Sequence, residues 1–258
     1  MRFASLGSGS AGNALIVQAG KTTLMLDCGF GINDTEKRLA SLALEPKDIT
    51  AIVVTHEHSD HIGGVPRFAA KYATPVYLSH GTYFAANERG GLSHLAVHCV
   101  DSHTAFAIDD IEVSPYPVPH DAREPMQCVF GNGKVRLGVL TDVGETTSLI
   151  EQKLSGLEAL VFETNHCPQM LAKGNYPQHL KQRISGRYGH LSNPVSRDIV
   201  ARLDTSKLQH LVAAHLSAQN NTPELAQAAL ADAVNTSSDW IAVATQAQGL
   251  SWRAITSL

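Results

Sequence analysis

Thr55-His56-Glu57-His58-Ser59-Asp60-His61 follows directly on the apolar, β-branched run Ile49–Val54. An apolar run of this kind reads as a buried strand, which places the heptapeptide on the loop leaving its end. Four candidate ligands in six residues cannot all reach one metal from a regular strand or helix. A tight loop can divide them, with His56 and His58 facing one ion and Asp60 and His61 another. Imidazole and carboxylate together are what divalent zinc, manganese or iron takes. The competing reading is a polar surface loop that happens to be rich in histidine, but so dense a donor cluster rarely occurs without a metal.

Two metal shells need more donors than one loop supplies. Three residues elsewhere share the same local context, an apolar strand followed at once by a ligand. His120 ends IEVSPYPVPH, Asp142 ends VRLGVLTD and His215 ends LQHLVAAH. Loops at strand ends are where α/β scaffolds place their sites. Each has a structural alternative: a loop histidine at 120, a cap for a helix over 145–154 at Asp142, a core histidine at 215. Asp27, after TTLML, is a candidate for orienting a ligand from behind, or for starting the turn Asp27-Cys28-Gly29.

Outward from these motifs, short apolar runs bounded by Gly, Pro, Asn or Asp recur along the chain and read as strands: ALIV, TTLML, TAIVV, PVYL, IEVSPYPV, VRLGVL, ALVF, HLVAA and WIAVA. Helical patterns fall at Asp34–Leu44, with Asp34 as the candidate cap, and at Gly64–Lys71, Glu145–Leu154, Pro194–Leu203 and Pro223–Asn235. The last opens on Thr-Pro-Glu, a start signal. The expectation is one sheet-rich α/β domain over residues 1–258, with no linker dividing it. The segment 80–105, with His80, His94, His98 and His103, reads only as surface helix and loop.

Composition narrows the classes. Among 258 residues, 43% are hydrophobic and 17% charged, globular values that exclude intrinsic disorder. Four cysteines without a CxxC pair read as free thiols, and no signal-peptide pattern or membrane-length apolar run occurs, so the expected location is the cytoplasm, with no membrane partner. The net charge of −4 carries no global footprint for nucleic acid. Locally, however, Thr164–Arg197 holds no Asp or Glu yet contains Lys173, Lys181, Arg183, Arg187 and Arg197. That run reads either as a landing strip for a polyanion or as a solvated surface neutralised by acids elsewhere in the fold.

Taken in order, Asp27, the HxHxDH loop, His120, Asp142 and His215 resemble the metallo-β-lactamase superfamily. The resemblance implies a four-layer αββα sandwich. It also implies one ion held by His56, His58 and His120, a second by Asp60, His61 and His215, and Asp142 bridging. Gly189-His190-Leu191-Ser192-Asn193 upstream of His215-Leu216-Ser217 is similar to tRNA 3′-processing endonucleases, which implies that His190 protonates a leaving oxygen; the alternative is a residue beside a helix cap at Ser192 or Asn193. The opening Leu6–Asn13 loop, Glu163-Thr164-Asn165-His166, GRYGHLSN and HLSAQNN together resemble the YycJ/WalJ-type bacterial branch, which is associated with DNA exonuclease activity. Cys167 stands where that pattern leads one to expect an acid. His166 either points into the site or packs beside Pro168, and the Gly7–Gly12 loop reads as a phosphate cradle or, more simply, a tight turn.

Two dications offset only by Asp60 and Asp142 favour an anionic substrate, with a hydroxide held between the ions as the expected nucleophile. The expected activity is hydrolysis of phosphodiester bonds in nucleic acid, DNA rather than RNA. His190 is the expected general acid, and Lys181, Arg183, Arg187, His166, Ser192 and Asn193 are the expected substrate contacts. The rival classes are a hydrolase of a small thioester or lactone, and a metal-binding module without turnover.

Overall fold

Side chains alternate between two buried faces along the central strands, and that alternation builds the layers. The computed structural model describes residues 1–88 and 91–257. The strands are β1 (Arg2–Gly7), β2 (Ala14–Ala19), β3 (Thr22–Leu26), β4 (Ala51–Val53), β5 (Val76–Ser79), β6 (Val97–Val100), β7 (Phe106–Ile108), β8 (Ile111–Pro117), β9 (Met126–Gly131), β10 (Arg136–Leu140), β11 (Ala159–Glu163), β12 (His210–Ala214), β13 (Ala242–Val243) and β14 (Leu250–Ala254). They form two sheets, ordered β14-β1-β2-β3-β4-β5-β6 and β13-β12-β11-β10-β9-β8-β7. The helices are α1 (Ile32–Ser41), α2 (Ser59–Ile62), α3 (Val65–Tyr72), α4 (His80–Asn87), α5 (Ser148–Leu154), α6 (Pro168–Lys173), α7 (Gln178–Ile184), α8 (Asn193–Val200) and α9 (Pro223–Ala233).

In the first sheet Leu15, Val17, Leu24, Leu26, Ala51 and Val53 face the second sheet. Their neighbours Ile16, Met25 and Ile52 face the opposite way, onto Leu39 of α1 and Phe68 of α3. The second sheet repeats the arrangement. Val139, Ala159, Val161, Val212 and Ala214 point into the shared core. Leu140, Leu160, Phe162, Leu211 and Ala213 point out onto α5, α8 and α9 through Ile150, Leu154, Ile199 and Leu230. The strands are apolar throughout because both faces are covered, as in a four-layer αββα sandwich. Each large aliphatic or aromatic side chain so enclosed contributes about 1.5–3 kcal/mol.

Both sheets change character part-way across. β3 pairs antiparallel with β2 but parallel with β4, and the parallel run continues through β5 and β6. β10 pairs antiparallel with β9 but parallel with β11, and the parallel run continues through β12 and β13. The carboxyl ends of parallel strands next to such a change of direction are where open α/β sheets leave a crevice.

Local expectations shift by a turn or less at several helices. Gly31, not Asp34, caps α1, and Asp34 instead pairs with Arg38 one turn on at 3.0 Å. Thr147 caps α5 by accepting from the Ile150 amide at 3.3 Å, so Asp142 does not have that task. Thr222 caps α9 as its Thr-Pro-Glu opening suggests, accepting from Leu225 N at 3.3 Å. The 80–105 segment is not only helix and loop: β6 runs through it, and His98 stacks on Tyr77 with ring centroids 4.7 Å apart. None of its four histidines joins a group of metal donors among the described residues.

Candidate metal centre

The strand ends deliver the site. Asp27 follows β3, Thr55–His61 follows β4 and leads into α2, Asp142 follows β10, and His215 follows β12. Asp27, Asp142 and His215 all adopt left-handed backbone conformations, with φ of 62°, 54° and 54°. Residues other than glycine take that conformation at a cost and persist there where the surroundings over-determine it. Here the turns after β10 and β12 bring Asp142 and His215 into the crevice, and the turn after β3 brings Asp27 behind His61.

Two donor groups converge. His56, His58 and His120 form one, and Asp60, His61, Asp142 and His215 the other, with the donor atoms of each group within 4.8 Å of one another. His120 Nε2 lies 3.3 Å from His58 Nδ1. His61 Nε2 lies 3.2 Å from Asp142 Oδ2, and His215 Nε2 lies 3.3 Å from Asp142 Oδ1. Donors arranged tetrahedrally at metal bonds of about 2.0–2.1 Å stand about 3.3–3.4 Å apart. His56 Nε2, Asp142 Oδ2 and His215 Nε2 are buried and have no hydrogen-bond partner. Buried polar atoms are rarely left so, and three together in one crevice fit cations as their missing partners.

The donors are aimed from behind. Asp27 Oδ2 accepts from His61 Nδ1 at 2.8 Å, leaving Nε2 toward Asp142. Asp27 Oδ1 accepts from the Thr55 amide at 2.8 Å, and Thr55 Oγ1 sits 3.0 Å from His56 Nδ1. The opening loop also serves the site: Ser8 Oγ accepts from the His215 backbone amide at 2.9 Å, and Asn13 Nδ2 donates to Asp60 Oδ2 at 3.2 Å. Such contacts fix ring orientation and tautomer.

Charge within the cluster is divided. Burial pushes His56 well below the usual histidine range. Burial also works against protonation of His61 and His215, but the Asp142 carboxylate outweighs it, helped by Asp27 at His61 and by Asp60 and Glu163 at His215. His61 ends well above its ordinary value, and His215 is raised to about 10. Burial raises Asp60, yet the close His215 and His61 rings, with Nε2 atoms 3.6 and 3.4 Å from Oδ2, overcome this and hold it ionised.

A second layer was hidden in the sequence. Glu163, the last residue of β11, is fully buried, accepts from the Val143 amide at 3.0 Å and lies 2.7 Å from His190 Nδ1. Glu163, His190 and His215 form a further donor group. Glu163 closes the apolar strand β11, whereas Asp142 and His215 lie just past β10 and β12, so a similar strand-then-donor signal was present there too. Burial disfavours the His190 cation, but the Glu163 and Asp142 carboxylates outweigh burial and raise its pKa.

Residues 7–150 match the Metallo-beta-lactamase superfamily, and the chain is 37% identical over 88% of its length to the exodeoxyribonuclease YycJ of Bacillus anthracis, covering 86% of that protein. The chain belongs to the metallo-β-lactamase superfamily. Within the superfamily it is also 31% identical, over 87% of its length and 85% of the relative, to the exodeoxyribonuclease WalJ of Streptococcus pneumoniae. Zinc-bound PqqB of Methylobacterium extorquens superposes with a TM-score of 0.73 at 15% identity, covering 99% of this chain and all of that one. The short form of human tRNase Z gives 0.70 at 15% identity with the same coverage. Both have this superfamily's fold.

The superfamily crevice is a cavity of about 280 Å³ whose lining includes Ser10, Asp60, His120, Asp142, Arg183 and His190. Of the basic residues singled out from the sequence, Arg183 reaches it, held by Asp121 at 2.7 Å. Lys181 turns away to the Ala172 carbonyl at 2.7 Å, and Arg187 pairs with Glu145 at 2.5 Å outside the crevice. Within the basic run, Arg183 and Arg187 are thus each neutralised by an acid from a distant segment. His166 and Asn193 are buried rather than lining the crevice: His166 sits beside Asn165, and Asn193 exchanges side-chain hydrogen bonds with Asn221 at 2.8 and 2.9 Å. Ser192 opens α8 without a side-chain cap bond.

Proposed function

We propose that this chain, acting as a single domain over residues 1–258, is a metal-dependent phosphodiesterase that degrades DNA in the manner of an exonuclease. The observation that carries the reading is its 37% identity, over most of its length, to a protein named as an exodeoxyribonuclease, joined to a complete set of inward-facing donors. No helix among the described residues is long and apolar enough to cross a membrane. With its unpaired thiols, this supports a location in the cytoplasm.

His56, His58 and His120 would hold one divalent ion, Asp60, His61 and His215 a second, and Asp142 would lie between them. Two ions of zinc, manganese or iron would supply Lewis acidity toward the phosphoryl oxygens and an activated water at neutral pH. The chain's own residues do the rest. Arg183 at the mouth, steered by Asp121, contacts a backbone phosphate without reading sequence. Glu163 fixes His190 through Nδ1, which leaves Nε2 to donate a proton to the sugar oxygen as its bond to phosphorus breaks. Such general-acid help is worth roughly a hundredfold to ten-thousandfold. Asp27 and Thr55 hold His61 and His56 in the tautomers that keep Nε2 free to ligate.

The substrate class is tested by giving the metal-loaded protein end-labelled single- and double-stranded DNA, RNA, a thioester and a lactone. DNA shortened progressively from an end, with the small esters untouched, is the expected result. Turnover of the thioester or lactone with every polymer intact would overturn the reading and leave the donor set unexplained by nucleic acid.

A further inference from the structure

Beside the metal crevice lies a second hollow of about 430 Å³. Pro117, Val118, Pro119 and Leu149 give it an apolar floor, and Tyr188 forms a wall. Tyr188 is 54% exposed, among the most exposed large hydrophobic residues described. Thr147 and the Arg187–Glu145 pair, whose charges cancel, complete the lining, and the Arg187 guanidinium lies 5.9 Å from the Tyr188 ring centre. The hollow therefore offers an exposed aromatic ring and apolar surface but little net charge.

Its position is tied to the chemistry by three chain segments. Each gives one residue to the crevice and a near neighbour to the hollow: His120 and Pro119, Asp142 and Glu145, His190 and Tyr188. Backbone bonds lock the segments together. Asp121 N donates to the Tyr188 carbonyl at 3.2 Å, and Gly144 N donates to the Pro119 carbonyl at 3.0 Å. A ligand whose phosphate enters the crevice beside His190 finds this hollow as the adjoining space.

We propose that the hollow seats the base of a nucleotide flanking the cleaved phosphodiester, stacked on the Tyr188 ring. This rests on the nuclease reading above. A phosphate would choose a site with net positive charge; a planar, weakly polar base suits an aromatic wall over an apolar floor. Every base has a π-face, so stacking positions the strand without selecting sequence.

The test compares the wild-type, Tyr188→Ala and Tyr188→Phe proteins on an end-labelled oligonucleotide. The same strand is then used with one abasic residue placed in turn at each nucleotide flanking the cleaved bond. Tyr188→Ala should raise KM by about fivefold to a hundredfold on the intact strand, with kcat little altered, as the loss of one stacked base predicts. Tyr188→Phe should restore the wild-type KM, because the ring and not the hydroxyl makes the contact. At one abasic position the alanine and wild-type proteins should converge. Equal KM for alanine and wild type on the intact strand, or an equal loss at every abasic position, would overturn the stacking site while leaving the nuclease standing. Failure of the wild type to cleave any nucleic acid would overturn both.

Discussion

At the scale of single residues, the account turns on His190 and the carboxylate behind it. His190→Ala should lower kcat on DNA by roughly a hundredfold to ten-thousandfold while bound metal is unchanged. A substrate whose leaving oxygen is replaced by sulfur needs no proton on departure, so the variant should recover most of the lost rate on it. An equal deficit on both substrates would remove His190 from proton transfer. The donors themselves predict a pH effect. In the metal-free protein His61 and His215 hold protons at neutral pH, since both are raised above the ordinary histidine value. Ions must displace those protons, so loading should release them and affinity should tighten as pH rises. Calorimetry in two buffers of different ionisation enthalpy checks this; no proton release at pH 7 would contradict it.

At the scale of elements, the legible parts of the site were those written within one segment. HxHxDH lies on a single loop, and His120, Asp142 and His215 each repeat the pattern of apolar strand then donor. Glu163 carries the same pattern but reads equally well as the end of its strand, and only its 2.7 Å approach to His190 gives it a task. The sheet-rich α/β class was readable from the short apolar strands and the four layers only through the family resemblance, whereas β6 and β7 are short and half-exposed and gave no strand signal. The pairing of the basic run is tertiary and so not legible locally: Arg183 and Arg187 pair with Asp121 and Glu145, 62 and 42 positions away. Of the two basic residues on α7, only Arg183 borders the crevice. Arg183→Ala should therefore weaken DNA binding and reduce the salt dependence of the affinity by about one phosphate contact, while Lys181→Ala leaves both near wild type. Equal effects of the two substitutions would favour a diffuse basic surface instead.

At the scale of the whole molecule, β4 of one sheet and β10 and β12 of the other run directly into the metal donors, so ion binding and folding are coupled. Each ion bound at a hundredfold excess over its dissociation constant adds about 2.7 kcal/mol to the folded state. A chelator should lower Tm, and Phe162→Ala, which empties a fully buried position under α8 and α9, should cost about 3–5 kcal/mol by denaturant titration without altering metal affinity once folded. The most direct measurement combines stoichiometry with activity: metal-stripped protein is titrated with manganese or zinc while shortening of end-labelled DNA is followed, beside the Asp142→Asn variant. The account predicts cleavage that rises to a plateau at two ions per chain, and a variant that binds less metal and leaves the DNA intact. Cleavage that persists in the stripped protein, or an Asp142→Asn protein that loads two ions and cuts at the wild-type rate, would contradict it.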